Sequence, residues 1–275
     1  MHITRVNLHQ PDKSVAVCAR TVAHWIFSGL CVFLAGCVIG QMIRQTGPDR
    51  SGWPAAMLAI AATISTLISL SRSLPLQNVL LAAALIGLIA ALVQTVEVLA
   101  GFRFGSDPYS GTLPWWVPLI WIIAILNSRG AARLILRPWR TTPNYGFQLF
   151  GLTVVMSLLF ALGQEIFSNS IISYRAWGSN QLAWTWHDTP LIRLPGWILL
   201  VLLILFVVTP LLINKKPIEL PPDYHPLFLW MLLNLVFLAG AITEHVWLAA
   251  VLHSGAVAVA GVFALRGRTR QGGIG

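Results

Sequence analysis

Eight apolar stretches divide this chain, each about as long as a helix that crosses a bilayer. They run roughly over 21–43, 54–71, 75–100, 114–137, 145–164, 194–214, 225–243 and 245–265. A membrane-spanning helix takes about 20 apolar residues. Hydrocarbon offers no partner to backbone N–H and C=O groups, and a helix satisfies them internally. The pattern predicts an all-α fold, a polytopic membrane helix bundle of about eight transmembrane helices. Only 10% of the residues are charged, against about 25% in a soluble domain. The segments between spans leave no room for a separate soluble domain, so residues 1–275 read as a single integral membrane domain. Thr243, Glu244 and His245 alone separate the last two spans. These spans read either as a tight helical hairpin or as one long broken segment.

The formal net charge of +9 does not point to nucleic acid, because the basic residues sit in short loops between apolar runs. With the N-terminus inside, the inner segments hold 13 of the 18 Lys and Arg, and the outer ones hold only Arg44, Arg50, Arg103, Arg175 and Arg193. Short loops rich in Lys and Arg stay on the cytoplasmic side. The expected placement is therefore the inner (plasma) membrane, multi-pass, with both termini cytoplasmic. Arg5, Lys13 and Arg20 precede the first apolar run as in a signal peptide, but the run is long for a signal core, and it reads as a retained first helix. Cys18, Cys31 and Cys37 form no CxxC pair and read as free, small apolar residues.

The acids are biased the other way. Asp49, Glu97, Asp107, Glu165, Asp188 and Glu244 fall on or near the outer side, and only Asp12, Glu219 and Asp223 fall inside. Chemistry at the outer leaflet is one cause; longer, more polar outer loops are another. Glu97 stands about one turn from the outer end of a long apolar helix. It reads either as a buried, protonated general acid or as a side chain snorkelling to the headgroups. Glu165 ends the fifth span in the same way, with Ser168 and Asn169 following. Each acid precedes a polar loop and a Pro-Trp helix start, Leu113-Pro114-Trp115-Trp116 in one case and Leu194-Pro195-Gly196-Trp197 in the other. A tandem duplication or chance accounts for so short an echo. Trp184 and Trp186 lie on one side if extended, beside His187 and Asp188. They read as aromatic belt or as a pocket wall. The seven histidines make no HxxxH or HxxH pair, and neither a dinucleotide fingerprint nor a P-loop occurs. A metal set of Glu97, Glu165, His187 and Glu244 has no signature behind it.

The segment after Glu97 reads Gly101-Phe102-Arg103-Phe104-Gly105-Ser106-Asp107-Pro108-Tyr109, followed by Leu113-Pro114-Trp115-Trp116-Val117-Pro118-Leu119-Ile120-Trp121. Further on come Trp184-Thr185-Trp186 and Pro190-Leu191-Ile192-Arg193-Leu194-Pro195-Gly196-Trp197. In order and spacing these resemble the carotenoid-biosynthesis membrane family that includes the carotenoid 1,2-hydratases and bisanhydrobacterioruberin hydratases. Arg103, Asp107 and Arg193 depart from that family's motifs. The resemblance implies acid-catalysed addition of water to the terminal double bond of an acyclic carotenoid. It implies Glu97 as general acid, with Asp107 or Asp188 orienting the attacking water and Glu165 as the next candidate acid. It also implies an end-group pocket drawn from Tyr109, Trp115, Trp116, Trp121, Trp184, Trp186, Arg193 and Trp197. That reaction needs no cofactor and no metal. The expected partners are a carotenoid or other isoprenoid lipid and membrane lipids, with association with other membrane proteins left open and no nucleic acid. Two alternatives keep the fold: an enzyme acting on another isoprenoid end group, and a non-catalytic membrane subunit or lipid-binding scaffold.

Overall fold

The computed structural model describes residues 13–44, 53–99, 115–167, 185–186, 189–190, 193–213 and 223–269, with side chains over 22–44, 53–96, 115–167, 194–213 and 223–266. Its helices are α1 (Lys13–Arg44), α2 (Trp53–Leu70), α3 (Leu76–Leu99), α4 (Val117–Ile135), α5 (Tyr145–Ile166), α6 (Arg193–Val208), α7 (His225–Thr243) and α8 (Trp247–Thr269). Short 3₁₀ turns follow α4 at Arg137–Trp139 and α6 at Thr209–Leu212. A two-residue ladder pairs β1 (Thr185–Trp186) antiparallel with β2 (Thr189–Pro190). Eight of the described helices are long and apolar enough to cross a membrane. The protein is an all-α polytopic bundle, as its apolar runs predict.

Local chemistry sets the helix ends. Pro118 and Pro226 stand in the first turns of α4 and α7, where a missing N–H leaves no bond unmade. Asp223 caps α7, its Oδ1 accepting from the backbone N–H of His225 at 3.0 Å. The α7–α8 junction resolves to a tight hairpin. The N–H of Val246 donates to the carbonyl of Ala241 at 2.8 Å, and that of His245 donates to Ile242 at 3.1 Å. That pair of bonds is a Schellman cap, and it forces the residue between them into the left-handed region. His245 takes that place with φ 58°.

The core inverts the soluble arrangement. α4 is the least apolar of the eight spans and the most buried, whereas α3 and α6 are the most apolar and present much of their surface outward. Every residue from Trp121 to Arg129 is buried, and α4 packs against α2, α3, α5, α7 and α8. Lipid is as apolar as leucine, so water-avoidance does not draw these helices together; packing and interhelical hydrogen bonds do. Asn127 on α4 accordingly donates to Thr66 Oγ1 on α2 at 2.9 Å. Gly130 brings α4 against α7 so closely that a Cβ there would overlap Pro226. Two apolar clusters flank α4: one reaches α1, α2, α5, α7 and α8, the other α3, α5 and α6. Large side chains such as Phe147, Phe206 and Trp25 face outward. Below, the near end of the bundle is the one where α1, α3, α5 and α7 begin, and the far end is the opposite one.

Candidate functional site

At the far end four side chains are buried, one on each of four helices. Each stands one turn beyond a member of the second apolar cluster: Gln94 beyond Ala90 on α3, Trp121 before Ile125 on α4, Glu165 beyond Ala161 on α5, and Trp197 before Val201 on α6. Residues one turn apart share a helix face, so all four extend the same packed seam toward the far end. Glu165 is 3% exposed and Gln94 3%. Oε1 of Gln94 and Nε1 of Trp121 are buried with no hydrogen-bond partner. An unmet donor and an unmet acceptor on neighbouring helices are the groups a polar guest or a buried water would satisfy.

Of the residues singled out in the sequence, the structure thus buries Glu165, Trp121 and Trp197 at the same end of the bundle. Glu97 lies in the last turn of α3, three residues after Gln94, with its side chain outside the described residues. Asp107, Tyr109, Trp184 and Asp188 also fall outside them, as do the side chains of Trp186 and Arg193. The paired tryptophans at the start of α4 part company. Trp115 is exposed, and Trp116 is buried in a small cluster with Ala56 and Val117.

Beside this seam, Gly163 lets α5 approach α7 and α8. Asn234 donates from Nδ2 to the carbonyl of Trp230 at 2.7 Å, which turns its Oδ1 toward Nδ1 of His253 at 3.0 Å. His253 therefore donates from Nδ1. Its ring lies 6.0 Å from that of Phe237, which in turn packs edge-on against Phe160 at 5.0 Å.

A second polar cluster, at the near end, was not read from the sequence. Thr63 and Thr66 return their hydroxyl protons to carbonyls one turn back, Ala59 at 2.8 Å and Ala62 at 2.7 Å. Ser65 instead meets Nε2 of His225 at 2.9 Å. Ser28 donates to the carbonyl of His24 at 2.8 Å, so its oxygen is left to accept from Nδ1 of His225, 3.4 Å away. This ordering puts the His225 proton on Nδ1 and directs the Ser65 proton to Nε2. Ser69 donates to Oδ2 of Asp223 at 2.5 Å. The rings of His24 and His225 meet edge-on at 4.1 Å. A serine hydroxyl on an oriented imidazole is the geometry of an activated nucleophile, but Ser65 is 0% exposed and nothing can reach it. The cluster is an interhelical lock joining α1, α2 and α7. Its only sequence signals are the run of hydroxyls on α2 and the Asp-Tyr-His-Pro start of α7. Neither names its partner, because the histidines meet across most of the chain.

Among the described residues no group of three or more His, Cys, Asp or Glu side chains could hold a metal ion. No protein-family model, curated protein or solved structure matches this chain.

Proposed function

We propose that this protein is a carotenoid-biosynthesis enzyme of the inner membrane that hydrates the terminal double bond of an acyclic carotenoid. Glu97 is the general acid, and the α3–α6 seam holds the end group. The single observation that supports this reading most is the burial of Glu165, 3% exposed, at the same end of the bundle as Glu97, Trp121, Trp197 and Gln94. Glu97 gives up its carboxylic proton as a general acid. The carboxylic proton passes to the less substituted alkene carbon and leaves a tertiary cation. Water adds to the cation, and the proton released returns to the carboxylate. The sum is one water added, with no electron transferred. Aromatic faces stabilise such a cation by about 0.5–2 kcal/mol each when desolvated, and the apolar walls keep other nucleophiles away.

The test is hydration of an acyclic carotenoid by the protein reconstituted in liposomes, followed as a mass gain of one water. General acid catalysis typically supplies about 10²–10⁴-fold. Glu97→Gln should lower hydration by about that factor while the protein still inserts and folds. If Glu97→Gln is fully active and Glu165→Gln is not, the acid is Glu165. If the unmodified protein hydrates no acyclic carotenoid, the lipid-binding scaffold replaces this reading.

A further inference from the structure

We propose that the near end of α4 carries a binding site for a phosphate group, built on Arg129. Arg129 is 7% exposed, enclosed by protein rather than facing lipid. Its guanidinium has five N–H donors in a rigid fork. The structure gives it one hydrogen bond, from Nη1 to Oγ1 of Thr209 at 3.2 Å, and leaves Nε buried with no partner. No carboxylate pairs with it among the described residues. Glu165 and Glu244 lie toward the far end, and Asp223 is engaged by Ser69 and by the start of α7. The ionisable groups that act on Arg129 are Arg133, one turn on, and the Tyr145 phenol at the start of α5. A buried cation beside a second cation, with a bare donor, is strongly unfavourable unless an anion completes it.

The geometry selects the anion. Arg129 and Arg133 are one turn apart on α4, and Arg137 follows after one more turn in the 3₁₀ segment. Arg133, which is exposed, and Arg137, which is half-buried, put further positive charge at this end of α4, more than one carboxylate would match. Their planar forks fit the oxygens of phosphate. Thr209 and Tyr145, from two other elements, add neutral hydroxyls to the same corner. The site lies about two turns in from the end of α4, roughly 9 Å by helix rise, within reach of a lipid phosphate or of phosphate entering from water. It stands at the opposite end from the hydratase seam and does not depend on that reading.

The experiment uses the full chain purified in dodecyl maltoside, which contains no phosphate. One arm adds phosphatidylglycerol and reads retained lipid by native mass spectrometry. The other titrates inorganic phosphate and diphosphate calorimetrically. Wild type should bind saturably. Arg129→Gln should weaken binding by about 10- to 100-fold, as loss of a charge-assisted hydrogen bond implies. Thr209→Val should weaken it by a smaller factor, and it serves as the reading if Arg129→Gln does not fold. Arg72→Gln removes an exposed charge from the same end and should leave affinity within about twofold. Tighter binding of the lipid identifies a headgroup site. Equal or tighter binding of free phosphate identifies a site for a soluble anion. Absence of saturable binding in both arms, a folded Arg129→Gln or Thr209→Val that binds as wild type does, or an equal loss in Arg72→Gln overturns the proposal.

Discussion

Replacing Gly163 by Ala should destabilise the far end of the bundle by about 1–3 kcal/mol, the cost of overpacking and of a lost hydrogen bond less the roughly 1 kcal/mol that alanine gains over glycine in a helix. A Cβ at Gly163 would lie 2.5 Å from Cε1 of His253, 2.5 Å from Cδ2 of Phe237 and 2.8 Å from Nε2 of His253. Ordinary carbon contacts lie near 3.5–4.0 Å, so about 1 Å of displacement is required. Neither ring is a free end that swings aside. His253 is tied through Nδ1 to Asn234, and Phe237 is held edge-on by Phe160. Overpacking a filled site costs about 1–3 kcal/mol. If His253 yields, its hydrogen bond is lost as well, about 0.5–1.5 kcal/mol. Gly255→Ala is the internal control, because a Cβ there meets nothing within 4 Å. It should be neutral or stabilising by up to about 1 kcal/mol through helix propensity. The assay is reversible unfolding in mixed micelles by titrated sodium dodecyl sulfate, read by circular dichroism. Equal stability of Gly163→Ala and Gly255→Ala would show that α5 does not meet α7 and α8 through this contact.

The near-end lock makes a graded prediction. Ser65→Ala leaves Nε2 of the buried His225 unpaired and should destabilise by about 1–3 kcal/mol, measurable by the same unfolding titration; a Ser65→Ala protein as stable as wild type would remove the lock. His245→Gly should stabilise the α7–α8 hairpin by about 1 kcal/mol, because glycine takes a left-handed backbone that other L-residues resist; a loss of stability there would show that the histidine side chain holds the turn. Orientation is checked by single-cysteine labelling in cells. A label near Arg268 should be shielded from impermeant external reagents and one near Asp107 exposed to them, and the reverse pattern would invert the assigned sidedness.

The sequence alone determined the number, type and approximate limits of the membrane helices. That information is local: hydrocarbon demands a run of apolar residues with every backbone bond made inside it, and such a run reads directly from Val22 to Arg44 or from Leu194 to Leu212. It also marked Glu165, Trp121 and Trp197, since an acid or tryptophan at the end of an apolar run stands out against its neighbours. It could not show that Gln94 joins them, because a glutamine in an apolar run carries no sign of which helix it faces. Only the tertiary structure decided that α4 is the central helix, that His24 meets His225, and that Arg129 is enclosed with no carboxylate partner among the described residues. Each of these is a pairing between distant segments, set by which faces of uniformly apolar helices pack together. Where lipid and protein interior are equally apolar, a hydrophobic stripe does not mark the buried face. That face is chosen by glycines such as Gly130 and Gly163 and by interhelical hydrogen bonds such as Asn127 to Thr66, which exist only once the helices have met.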